Sequence, residues 1–262
     1  MTSGDPDRLY RTSDGGRSWT IAFEHSNPAA FFDGMSFSPE GRNGWLMGDP
    51  VEGRLCIATT EDSGRTWRIP ESTQLPQVAT GIAGFAASGT NLCFTNPGSV
   101  IIGLGGVHLP DNDPRAHVCI SSDSGATWQF TRVPMKASVS AGVFSVTGAD
   151  DSGERLVAVG GDYLLPTAAD NNVSISDDSG RTWRVPKTSF PGGYRSAVAA
   201  TRNREGTLLL VAVGPSGTDM STDSGDSWSA VSSTGFHTVS FVPEAHGWGA
   251  GSNGRIAVWN AE

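Results

Sequence analysis

SDDSGRTW (Ser176–Trp183) is one of five copies of a single eight-residue pattern, Ser/Thr-x-Asp-x-Gly-x-Ser/Thr-Trp. The others are TSDGGRSW (Thr12–Trp19), TEDSGRTW (Thr60–Trp67), SSDSGATW (Ser121–Trp128) and STDSGDSW (Ser221–Trp228). Their aspartates, Asp14, Asp62, Asp123, Asp178 and Asp223, stand 48, 61, 55 and 45 residues apart. That period fits a four-stranded propeller blade better than a helical repeat. An Asp in a tight connection accepts bonds from backbone N–H groups two residues on, and the Gly two positions later supplies the positive φ that closes a hairpin. The hydroxyls serve the same backbone, while Trp19, Trp67, Trp128, Trp183 and Trp228 each begin the next strand and pack beneath the loop. The ten residues are therefore read as structural staples at the rim, in preference to five carbohydrate or calcium sites.

Composition agrees with an all-β reading. The chain has 34 Gly and 15 Pro in 262 residues, which is ample punctuation between strands. No apolar run approaches the roughly 18 residues needed to span a bilayer. Against 18 Lys and Arg stand 27 Asp and Glu, a net charge of -9 with no basic cluster, so a nucleic-acid partner is not expected. Cys56, Cys93 and Cys119 match no zinc spacing and lie in strand-like stretches. Three buried free thiols is one reading; one disulfide and a spare is the other.

The turns divide the chain into one propeller domain, 1–262. The best blade, 31–70, reads as an inner strand MSFSP (Met35–Pro39), then GWLMGD (Gly44–Asp49), RLCIATT (Arg54–Thr60) and an outer RTWRIP (Arg65–Pro70). The same order recurs over 78–131, 140–186 and 194–231, with inner strands expected near 84–88, 143–147 and 196–201. Loops at Leu109–Arg115 and Leu164–Asn172 account for the longer periods. At the C-terminal end, 236–260 supplies three strands; residues 1–23 supply a third and fourth strand without a first or second. The chain is thus expected to begin in mid-blade, N-terminally truncated, with a signal segment upstream of Met1.

Outside the turns, AFFDGMSF (Ala30–Phe37), GDPVEGR (Gly48–Arg54), GGDY (Gly160–Tyr163), GYRSAVA (Gly193–Ala199), VGPSG (Val213–Gly217) and GFHTVSF (Gly235–Phe241) complete a pattern over nearly the whole chain. In this combination the chain resembles the bacterial relatives of the photosystem II stability and assembly factor, Asp-box (BNR) propeller proteins. The resemblance implies a seven-bladed β-propeller, of which this chain supplies the last half of blade two and blades three to seven. It implies an exported, periplasmic or secreted protein with no established reaction, whose photosynthetic relatives bind a reaction-centre precursor. Some relatives carry the name oxidoreductase. The residues do not support it: GLGG (Gly103–Gly106) lacks the third glycine and the following helix of a dinucleotide loop, and no cofactor is expected.

A glycosidase needs two carboxylates on one cleft, and a sialidase adds an arginine triad and a Tyr–Glu pair. Tyr10, Tyr163 and Tyr194 are the three tyrosines. Tyr194 beside Arg195 is the pairing that fits best, with Asp49, Asp162 and Glu52 as candidate carboxylates; the full sialidase set is not visible. In a propeller the loops leading into the first strand, and those linking strands two and three, open on one face. Phe32, Asp33, Asp49, Asp162, Tyr163, Tyr194, Arg195, Phe236 and His237 fall there. They are read as a channel-mouth ring that docks a protein or peptide segment without chemistry, Arg195 pairing with a carboxylate or chain terminus. The alternative is a secreted glycan-binding or glycan-cleaving propeller. His25, His108, His117 and His246 share no metal spacing, so no metal is expected, and the molecule is read as a monomer.

Overall fold

The computed structural model describes residues 1–262 except 3–5, 28, 86, 97, 108–113, 243–245 and 261–262; His108 and most of the Leu109–Arg115 loop therefore lie outside the described residues. Every sheet is an antiparallel meander. The first pairs β1 (Asp7–Arg11) with β2 (Thr20–His25), and the second orders β3 (Phe32–Phe37), β4 (Gly44–Val51) and β5 (Arg54–Thr60). Next come the short β6 (Ile82–Ala83) and a meander of β7 (Leu92–Asn96), β8 (Ser99–Gly106), β9 (Arg115–Ser121) and β10 (Gln129–Lys136). It touches the meander of β11 (Ala141–Gly148), β12 (Leu156–Asp162) and β13 (Val173–Ser176) where Gly142 meets Gly105. Then follow β14 (Ala197–Arg202), β15 (Leu208–Gly214), β16 (Gly217–Ser221) and β17 (Ser229–Ser232), and last β18 (Thr238–Val242), β19 (His246–Ala250) and β20 (Ile256–Asn260). Among the described residues no helix is long and apolar enough to cross a membrane.

Core formation falls between neighbouring sheets, so the sheets stack face to face. Met47, Leu55 and Ile57 of one sheet meet Ile102, Leu104 and Cys119 of the next. Ile101, Val118 and Val133 meet Val143, Leu156 and Ala158; Val157, Val159 and Ile175 meet Val198, Leu210 and Ala212. Val211 and Val213 meet Val239 and, at its margin, Phe241 and Trp259. The innermost strands of these sheets converge on one cavity of about 560 Å³ lined from β3, β7, β11, β14 and β18. Sheets stacked around a common channel make the chain a β-propeller. On β18–β20 only one face is packed: Trp248, Val258 and Ile256 on the other are 46%, 61% and 76% exposed.

All five octapeptide turns make the same bonds. At the fourth, Asp178 accepts from the Thr182 N–H at 2.8 Å, the Thr182 hydroxyl at 2.6 Å and the Ser176 hydroxyl at 2.9 Å. Ser176 in turn accepts from the Gly180 N–H at 2.8 Å. The N–H that each Asp accepts thus lies four residues on, not two; the two-residue bond runs the other way, from the Asp178 N–H to the Ser176 oxygen at 3.3 Å. Two successive left-handed residues close each loop, as at Ser179 (φ 59°) and Gly180 (φ 88°), the requirement of a primed hairpin turn. The glycine is where the loop presses on the adjoining core: a Cβ on Gly125 would stand 2.5 Å from the Trp45 ring. Trp128, Trp183 and Trp228 join the inter-sheet clusters, whereas Trp19, on the two-stranded sheet, is 58% exposed.

Two strand assignments change. The inner strand expected near 84–88 runs instead at β7, because Leu92 pairs with Ile102 on the continuous apolar run of β8, and Gly84 is wedged against Met47. The outer strand expected at Arg65–Pro70 shrinks to one bridge, Thr59 with Arg68, and its counterpart to Ile175 with Arg184. In both, a proline two residues on, Pro70 or Pro186, ends the pairing.

Candidate functional site

The channel-mouth residues divide into three groups. Phe32 is fully buried, its ring edge-on to Phe23 at 5.7 Å and to His25 at 5.8 Å. Tyr194 is buried beneath Phe144, ring centroids 4.8 Å apart, and burial pushes its phenol well above the usual range. Arg195 is enclosed: Nε and Nη2 both reach Asp219 at 2.5 Å, and Nη1 donates to the Tyr194 carbonyl and the Ser216 hydroxyl at 2.9 Å. The expectation of Arg195 as a docking charge is thus corrected. Its guanidinium is satisfied within the fold because β16 brings Asp219 beneath it, and neither Phe32 nor Tyr194 is presented to a partner.

A second group is partly reachable. Asp162 is buried, accepts the Leu164 N–H at 3.0 Å as a turn residue, and lies 3.8 Å from the Lys136 ammonium. Phe236 is half-buried under the Arg255 guanidinium, 6.0 Å from its ring centre. His237 is exposed, with Nε2 2.8 Å from the Ser252 hydroxyl. Glu52 is exposed at the tip of the β4–β5 turn with φ 52°.

The third group is a pair of acids set by two bulges. Phe32 pairs with Gly48 and Gly34 with Met47, so Asp33 is an extra residue in β3. Gly48 pairs with Cys56 and Pro50 with Leu55, so Asp49 is an extra residue in the neighbouring β4. A bulge breaks the pleat's alternation and re-aims its side chain. Asp33 lines the central cavity, and burial, followed by the charge of Asp49, pushes its carboxyl up to about 7. Burial raises Asp49 as well. Beside them Asn91 is 1% exposed, and its side chain, a hydrogen-bond partner of the Asp33 carboxyl, offsets part of the rise there.

Tyr163, the remaining channel-mouth residue, is exposed and belongs to an apolar cluster whose other members lie outside that ring. Val139, on the turn into β11, is 79% exposed, and Tyr163, Leu164 and Leu165, on the β12–β13 loop, are 47%, 65% and 51% exposed. The two turns are joined by the Tyr163 N–H on the Ser140 carbonyl at 3.2 Å. The β12–β13 loop is in turn tied to the loop before β14, since the Tyr194 N–H bonds the Pro166 carbonyl at 3.1 Å and Asn172 donates to the Pro191 and Gly193 carbonyls. That loop also exposes Phe190. The run Tyr-Leu-Leu-Pro between two strands was the available signal: apolar residues in a connection that has no strand face to pack against.

No protein-family model and no curated protein matches the sequence. Among solved structures the chain is similar to the GH74 enzyme of Niastella koreensis, with TM-score 0.57 and 16% identity over 98% of this chain and 34% of that one. It thus spans about a third of that enzyme's length. The GH93 α-L-arabinofuranosidase of Fusarium graminearum gives TM-score 0.57 and 14% identity over 98% of this chain and 85% of its own. YCF48 from Cyanidioschyzon merolae gives 0.49 and 15% over 88% and 67%. At these identities the likeness to the GH74 and GH93 enzymes is one of fold, and it places the chain among β-propellers.

Proposed function

We propose that this chain is a non-catalytic docking propeller that holds an apolar protein segment on its loop face. The observation that carries this reading is the cluster Val139, Tyr163, Leu164 and Leu165, exposed on two hydrogen-bonded loops of one sheet, with Phe190 exposed on the loop tied to them. Exposed aromatic and aliphatic side chains grouped on a rigid scaffold are what an interface core uses. The loops beneath them are fixed by backbone bonds, so little ordering entropy is lost on docking. The family resemblance points the same way, and an exported location belongs to the same proposal. Peptides selected by display on the wild-type protein test it: their binding is expected to be lost in a Leu164→Ser, Leu165→Ser variant that keeps the wild-type melting curve.

A second reading, a glycan-cleaving propeller, is favoured by the adjacent acids Asp33 and Asp49, one held near neutrality as a general acid requires. Release of reducing ends from xyloglucan or arabinan oligosaccharides by wild type, and none by Asp33→Asn, would replace the docking reading with this one.

A further inference from the structure

We propose that two copies of this chain pair their β20 strands antiparallel about a twofold axis at Val258, in place of the monomer expected from the sequence. Two three-stranded sheets then become one of six strands. A strand edge offers unpaired backbone N–H and C=O groups, and folded proteins blunt it with charge, proline, a bulge, short length or a cover. The outer strands of the other sheets are all protected in these ways. On β10 stand Arg132, Pro134 and Lys136, with a bulge between Val133 and Lys136. Strand β17 is four residues long and bulged at Val231. Strand β2 is bulged at Ala22 and bears Glu24, ion-paired to Arg8. Strands β5 and β13 are covered by the bridges to Arg68 and Arg184. None of these devices is found on β20. It pairs with β19 at five consecutive positions without a shift, and its sequence IAVWN has no charge, proline or glycine. Among the described residues no backbone bond reaches its outer side.

The same strand fits as its own partner. Directly opposed residues of antiparallel neighbours share a face of the sheet. Centred on Val258, all five residues pair: Val258 meets its own copy, Ala257 the partner's Trp259 and Ile256 the partner's Asn260. The exposed Ile256 and Val258 of both copies then line one face beside Trp248, and the half-buried Ala257 and Trp259 share the other. Each copy carries a net charge of -9, so two copies associate where like charges do not meet. The exposed side chains on the same face of β18 and β19 are Ser240, Val242, His246, Trp248 and Ala250. With Ile256 and Val258 they put no Asp, Glu, Lys or Arg on that face. Twofold pairing uses up both open edges, so the product is a closed dimer and not a fibre. Five paired residues make a small contact, which sets the dissociation constant near about 10–100 μM.

Sedimentation velocity on the full chain, from about 1 to about 500 μM, tests the contact. A monomer–dimer equilibrium is expected in the wild type. At the twofold axis Val258→Lys sets two ammonium groups against each other, and Val258→Glu two carboxylates. Val258 is 61% exposed, so both variants should keep the wild-type melting curve. Each variant alone should dimerise at least about tenfold more weakly, and an equimolar mixture should recover the dimer because opposite charges then face each other. A wild type that stays monomeric throughout, unchanged dimerisation in both variants, or a mixture no better than either variant alone overturns the contact. Wild-type mass that grows past two chains without limit also overturns it, in favour of open stacking. The docking reading is tested apart: Leu164→Ser, Leu165→Ser should dimerise as the wild type does, and loss of the dimer there would move the contact to the loops and overturn pairing at β20.

Discussion

Arg195 donates to Asp219 through both Nε and Nη2 at 2.5 Å, with the side chains 2% and 3% exposed. A pair so enclosed gains little over apolar residues of the same shape, but removing one partner strands the other charge. Arg195→Met should therefore cost about 3–5 kcal/mol in urea unfolding, and Arg195→Met, Asp219→Leu should recover most of it. A loss below about 1 kcal/mol in the single variant would mean the pair is reached by water.

Asp178→Ala removes the acceptor for two hydroxyls and one backbone N–H at a half-buried turn packed on an inter-sheet core. A loss of about 1–3 kcal/mol is expected. Asp14→Ala, on the exposed two-stranded sheet, should cost much less. Thermal melts of the two variants, side by side, check the ranking.

Acid and base should act through different aspartates. In the turns, the hydroxyl and N–H of Ser18 hold Asp14 down to about 2, and the guanidiniums of Arg184 and Arg155 hold Asp226 down to about 2. A depressed carboxylate contributes stability that is present above the unfolded value near 4 and is lost as pH falls toward 2. Asp33 has the opposite sign: its carboxyl is raised to about 7, so the fold favours the protonated form and loses stability as pH rises from 4 through 7. Urea midpoints from pH 2 to 9 should fall at both ends, and Asp33→Asn should flatten only the alkaline side.

Close approach rather than turn geometry makes some glycines irreplaceable. A Cβ on Gly160 would lie 2.0 Å from the Gly142 carbonyl oxygen, while one on Gly148 would meet nothing within 4 Å. Gly160→Ala should destabilise by more than about 2 kcal/mol and Gly148→Ala by less than about 0.5. Equal melting temperatures would contradict the observed packing.

All three cysteines are free. Burial raises the thiols of Cys56 and Cys93 to about 11 and that of Cys119 well above its ordinary value, so almost no thiolate exists at pH 8. Iodoacetamide should label none of them in minutes on the native protein and all three in urea, counted by intact mass.

How far residues reveal structure depends here on the range of the interaction. The octapeptide turns are legible because every bond of Asp178 closes within six residues, between Ser176 and Thr182. The end strands β18, β19 and β20 fall where alternation puts them. Inner strand β7 was misplaced because its choice over 84–88 depends on pairing with β8, which local alternation does not encode. Arg195 reads as a surface charge until Asp219, 24 residues on, is brought under it. The bulges at Asp33 and Asp49 are register events between strands, invisible in either strand alone.

The most direct test of the docking surface is the affinity of a display-selected peptide for wild type and for Leu164→Ser, Leu165→Ser, measured by calorimetry at equal fold stability. We predict at least about tenfold weaker binding in the variant, as the loss of two apolar anchors from an interface core requires. Equal affinity, with the loop still exposed, would contradict docking at this face.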